Sequence, residues 1–226
     1  MYKTILWDVD ATLLNFEKSE DVSLKQLFAR YDVILDEEKM ALYKKINRSY
    51  WNGLEQGIYD RHTVLTQRFD DFFDAIKHPR VNTDEMNDFY QLALGTNVFE
   101  ENYVHETLQA LETHYDQYVV SNGTHIAQIH KLEKSDLMKY MKDLFISEDL
   151  GYDKPSKEFF KQVQQATHYD PKTTLIVGDS LSSDMQGGRQ AGITTIWYNP
   201  HHQKNNTSYV DYEIDDLRDV ITIAKS

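Results

Sequence analysis

One hydrophobic run with strand character, KTILWDVDATLL, is followed from about Glu17 to Leu94 by helical periodicity, and strands return only after Gly95. A lone strand leaves its backbone hydrogen-bonding groups without partners. The first run must therefore pair with strands from the far side of the helical block. That makes the block an insertion after the first strand of an α/β sheet.

Within the block, Met40, Tyr43, Ile46, Tyr50 and Leu54 recur at three- and four-residue steps, as do Val64 or Leu65, Phe69, Phe72 or Phe73, and Ile76. Asp36 and Asn82 are suited to N-caps, and Gly57 and Gly95 to helix stops. After Gly95 the pattern alternates. A helix around His105–His114 leads into Tyr118-Val119-Val120, and Ser121-Asn122-Gly123 opens the next helix. Phe145-Ile146 is a weaker strand, and a helix from Ser156 to about Ala166 precedes Leu175-Ile176-Val177 and a further strand at Thr194–Trp197. Alternating strands and helices predict a Rossmann-like parallel sheet with crossover helices. The expected organisation is an α/β core of residues 1–15 and 96–226 and an all-helical domain of residues 16–95.

Composition narrows the function classes. A net charge of −13 argues against a nucleic-acid polymer as partner, because binding its backbone needs clustered Lys and Arg. With no cysteine, disulfides, thiolate metal sites and cysteine nucleophiles are ruled out. The N-terminus reaches charge too early for a secretory signal, and no apolar run has the length of a membrane span, so a cytoplasmic protein is expected. Composition leaves the oligomeric state open.

Asp8 and Asp10 end the first strand. Residues two apart share one face of a strand, so both acids address one small volume, and a cation or a shared proton is the usual way to tolerate them. The alternative is an Asp-rich turn. Three more sites fall at expected strand ends, where open α/β sheets bind ligands. Ser121, with the backbone N–H groups of Asn122 and Gly123, has the donors to hold phosphate oxygens, or is a plain turn. Lys154, before Pro155, is a suitable counter-charge for a phosphoryl group, or a surface lysine. Asp179 and Asp184 in VGDSLSSD can reach a hard cation together, or form an N-cap arrangement. His201 and His202 read as a surface loop, since HHQKNN offers no carboxylate beside them.

In this order DVDAT, SNG, KP and GDSLSSD resemble the four motifs of haloacid dehalogenase-like phosphohydrolases, and the helical insertion resembles the family's cap. Ala11 departs from the pattern, which most often has Gly there. The resemblance implies Asp8 as nucleophile forming an aspartyl phosphate, and Asp10 as the acid and then the base. It implies Mg²⁺ held by Asp8, the backbone carbonyl of Asp10 and Asp179, with Asp184 in support. Thr12, Ser121 and Lys154 would contact the transferred phosphoryl group. Asp10 favours a phosphatase over a dehalogenase, since halide departs without an acid. NRSYWNGLEQG, Arg68-Phe69, ISEDLGYDKPSKEFF and WYNPHH are similar to bacterial nucleotidases acting on pyrimidine nucleoside monophosphates. Asn47, Trp51, Gly57 and Arg68 carry the cap part of that likeness, with Asn47, Trp51 and Arg68 as candidate specificity residues. A sugar-phosphate phosphatase, a phosphomutase and a catalytically idle binding module are the alternatives.

Overall fold

Strands β1 (Thr4–Trp7), β2 (Asp116–Ser121), β3 (Asp143–Ile146), β4 (Thr174–Gly178), β5 (Thr194–Tyr198) and β6 (Tyr212–Ile214) form one sheet in the computed structural model, which describes all 226 residues. Every neighbouring pair is parallel, in the order β3-β2-β1-β4-β5-β6. The chain adds strands to one side of β1 and then returns to add the rest on the other. The C-terminal ends of β1 and β4 therefore border the topological switch point, the place where such sheets open a crevice.

Alternation along each strand feeds two apolar layers. Ile5, Trp7, Val119, Leu175 and Val177 face one layer, where helices α5 (Val104–Glu112), α6 (His125–Lys134) and α10 (Asp219–Ala224) contribute Leu108, Leu132 and Val220. Leu6, Val120 and Ile176 face the other, against Phe159, Phe160 and Val163 of α8 (Lys157–Thr167). Burial on both faces explains why these strands read as continuous apolar runs. Two short helices, α7 (Ser147–Leu150) and α9 (Gln186–Gln190), complete this part of the chain.

The chain folds into two compact units, one of Met1–Phe16 with Val98–Ser226 and the other of Glu17–Asn97. The second carries α1 (Phe16–Ala29) beyond its first residue, α2 (Glu37–Glu55), α3 (Arg61–Ala75) and α4 (Thr83–Thr96). Its interior is aromatic: Phe28 packs against Tyr43, Phe69, Phe72 and Phe73. Asp36 and Asn82 cap their helices through the N–H groups of Lys39 and Glu85. Gly57 adopts a left-handed φ of 70° just past the end of α2.

One expectation needs correction. Gly95 does not stop its helix: the Asn97 N–H still donates to Ala93 O at 2.8 Å, so α4 continues to Thr96. Glycine inside a helix costs about 1 kcal/mol relative to alanine, too little to end one whose buried face is packed. The strand β6 and helix α10 went unforeseen, because β6 has three residues, of which only Ile214 is buried. His201 and His202 are exposed, as expected, although His202 lies 3.6 Å from the Asp215 carboxylate.

Candidate active site

Asp8 follows β1 directly, and its N–H donates to Val177 O at 2.9 Å, carrying the ladder one step past the strand. Asp179 follows β4, the neighbouring strand. Asp184 returns to the same place from a single wide turn, Leu181–Met185, where its carboxylate accepts from the Ser180 N–H at 3.2 Å. Carboxylate oxygens of Asp8, Asp179 and Asp184 all lie within 4.8 Å of one another. Gly178 makes this possible: a Cβ there would collide with the Asp184 carboxyl group.

Lys154 enters the cluster from a distant loop and is buried. Its ammonium donates to Asp8 Oδ1 at 2.8 Å, Asp184 Oδ1 at 2.6 Å and the Val120 carbonyl at 2.7 Å. Three bonds exhaust its donors and aim the charge. The loop is held by Asn122, which donates to Lys154 O at 2.9 Å and accepts from its N–H at 2.8 Å. Asn122 thus serves Lys154. Ser121 ends β2 with its hydroxyl accepting from the Gly123 N–H at 3.1 Å. Thr12 is fully buried and donates to Asp8 Oδ2 at 3.3 Å.

Three carboxylates facing one ammonium leave the cluster short of positive charge. Burial first, and then the charges of Asp184 and Asp10, outweigh Lys154 and raise the Asp8 carboxyl to about 7. Burial and Asp8 likewise raise Asp179. Although burial disfavours its charge, Asp184 and Asp8 raise the Lys154 ammonium, which stays protonated. An all-oxygen donor set with excess negative charge suits a hard divalent cation.

Asp10 stands apart from this group. The regular strand ends at Trp7, and the chain turns back on itself just past Asp10 as Ala11 N–H bonds to Leu14 O at 2.8 Å. Its carboxylate is held instead by Gln128 Nε2 at 2.7 Å and Lys131 Nζ at 2.6 Å, both from α6. Neither residue was anticipated. Their three-residue spacing in the helix opened by SNG puts them on one face, but a polar pair so placed carries no mark of burial in the sequence. Ala11 has φ of 63°, the left-handed region, which explains why glycine is the commoner residue there.

The residues singled out in the helical unit form two separate groups. Arg68 is buried and donates to Asn47 Oδ1 at 2.8 Å and Asn87 Oδ1 at 3.2 Å, while Asn47 donates to Glu20 at 3.1 Å. Trp51 is half-buried against Tyr50, Leu54 and Val64, outside that network.

The haloacid dehalogenase-like hydrolase family matches residues 5–198. The pyrimidine 5′-nucleotidase PynA of Streptococcus pneumoniae is 35% identical, covering 97% of this chain and 95% of its own. The Escherichia coli pyrimidine 5′-nucleotidase YjjG is 28% identical over 88% and 87%. The solved structure of the Bacillus subtilis HAD-hydrolase YfnB, bound to magnesium and described as revealing interdomain movement, superposes with a TM-score of 0.93 at 32% identity, covering 100% and 99%. A buried lysine bridging an aspartate at the end of β1 to one in the turn after β4 of a parallel sheet, together with a family match over most of the length, establishes that this chain belongs to the haloacid dehalogenase-like hydrolases.

Proposed function

We propose that the protein is a Mg²⁺-dependent phosphatase that hydrolyses small phosphate monoesters through a phosphorylated Asp8. The observation that carries this reading is the Lys154 ammonium, which joins Asp8 Oδ1 to Asp184 Oδ1 inside a carboxylate cluster at the sheet's switch point. A carboxylate attacks a phosphate dianion only where their repulsion is cancelled. A cation held by Asp8, the Asp10 carbonyl and Asp179, with Asp184 alongside, would supply the positive charge that Lys154 alone does not.

In the first step an Asp8 oxygen forms a bond to phosphorus and the ester P–O bond breaks, with a proton passing from Asp10 to the leaving oxygen. In the second, water attacks phosphorus, the Asp8–phosphorus bond breaks, and the water proton returns to Asp10. Thr12 and Lys154 keep the Asp8 carboxylate oriented through its two oxygens. Ser121, Asn122 and Gly123 form the turn assigned to phosphate binding. Asn122 does so indirectly, by fixing the Lys154 backbone.

The nucleotidase relatives support pyrimidine nucleoside 5′-monophosphates as the substrate class. Asn47, Trp51 and Arg68 of the helical unit are the assigned selectivity residues. Trp51, only half-buried, is assigned to stack on a base, while Asn47 and Arg68 act by holding the unit's interior network. The test is phosphate release from UMP, dUMP and dTMP against a set of sugar phosphates, with and without Mg²⁺. Mg²⁺-dependent preference for the nucleotides is expected. Preference for sugar phosphates would contradict the substrate assignment, and no release with any ester, together with no Mg²⁺-dependent beryllium fluoride binding, would mark a catalytically idle fold.

A further inference from the structure

The carboxylate of Asp10 is engaged at both oxygens by side chains from successive turns of one helix face. Gln128 Nε2 reaches Oδ2 at 2.7 Å and Lys131 Nζ reaches Oδ1 at 2.6 Å. Both donors are almost completely buried, whereas Asp10 is not. The Lys131 ammonium also lies 5.3 Å from the centre of the Phe16 ring, an apolar wall that limits where it can move.

Burying these groups works against stability, so their placement calls for a reason. Gln128 is seated at some expense. Its Oε1 is buried with no hydrogen-bond partner, because Nε2 is the amide atom turned to Asp10 and an ionised carboxylate, the form Asp10 takes once its proton has passed to the leaving oxygen, only accepts. Its amide also lies against the main chain at Gly123, where a Cβ would collide with Nε2. Glycine in SNG therefore admits the Gln128 side chain.

We infer that Gln128 and Lys131 are positioning residues for Asp10. They hold its carboxylate in one orientation, apart from the Asp8–Asp179–Asp184 cluster, so that the group transferring protons does not become another ligand in the cation site. The inference rests on the phosphatase reading and on Asp10 acting on the leaving oxygen. Without the clamp, Asp10 is free to rotate toward the cation, and only reactions that need its proton suffer.

The leaving group separates that role from a structural one. In single turnover with Mg²⁺, Lys131→Met should slow nucleoside release from UMP by about 30-fold, within the usual range of general-acid contributions, and p-nitrophenol release from p-nitrophenyl phosphate by less than about threefold. UMP binding should be unchanged, and Lys131→Arg, which keeps a cationic donor, should recover UMP turnover to within about threefold of wild type. Gln128→Ala should show the same leaving-group dependence in milder form and carries the test if Lys131→Met does not fold. Equal slowing of both esters, or slowing of neither, overturns the positioning role while a wild-type enzyme that turns over UMP leaves the phosphatase reading standing. Wild-type protein that releases phosphate from neither ester overturns both.

Discussion

Lys154 Nζ and Asp8 Oδ1 lie 2.8 Å apart, both buried, although 146 residues separate them in the chain. The pair can exist because the loop between α7 and α8 brings Lys154 to the residue that follows β1, and because Asn122 fixes the Lys154 backbone. Removing the ammonium strands two carboxylates in a site that disfavours their charge. Lys154→Met is expected to lower kcat for any phosphate monoester by about 10²-fold or more. Steady-state phosphate release checks it, and a loss below threefold would show that the bridge is dispensable.

Gly178 approaches Asp184 so closely that alanine cannot fit without moving the carboxyl group. Gly178→Ala should lower stability by about 1–3 kcal/mol, as overpacking does, and should weaken activation by Mg²⁺. Chemical denaturation and a Mg²⁺ titration of activity measure the two effects separately.

Ala11 holds a φ of 63° without the freedom of glycine. Ala11→Gly is expected to stabilise the fold by about 0.5–1 kcal/mol, since relief of left-handed strain exceeds the added entropy of the unfolded chain. Thermal unfolding of the two proteins decides the sign.

Glu20 gives the helical unit its own pH dependence. Burial, opposed by Lys44 and Arg68, raises its carboxyl from 4.5 to about 7. A group that binds its proton more tightly when folded contributes stability that is complete below the unfolded value and lost as pH rises through the folded one. The loss falls between about pH 4.5 and 7 and amounts to about 3 kcal/mol. Glu20→Gln keeps an acceptor for Asn47 and should remove this part of the decline. Melting temperatures of both proteins at pH 5 and pH 8 test it: parallel declines would contradict the assignment.

Much of this architecture was legible in the sequence for a physical reason. Parallel strands buried on both faces must be apolar throughout, so Thr4–Trp7 and Thr174–Gly178 announce themselves, and the acids that end them stand out against that background. Local signals also revealed the caps at Asp36 and Asn82. Partnerships set by tertiary packing left no such mark. Nothing near Asp10 indicates that Gln128 and Lys131 will face it, because a polar pair on a helix reads as solvent-exposed until another part of the chain packs over it. Arg68 was visible as a charge, but not as a buried donor to Asn47 and Asn87.

Phosphoryl transfer to Asp8 is the central claim, and covalent trapping tests it most directly. Mixing the protein with Mg²⁺ and UMP labelled in its phosphate, quenching in acid within one turnover and mapping the peptides should place the label on the peptide containing Asp8, with none in Asp8→Asn. Full phosphate release by Asp8→Asn, or label on another residue, would contradict the account.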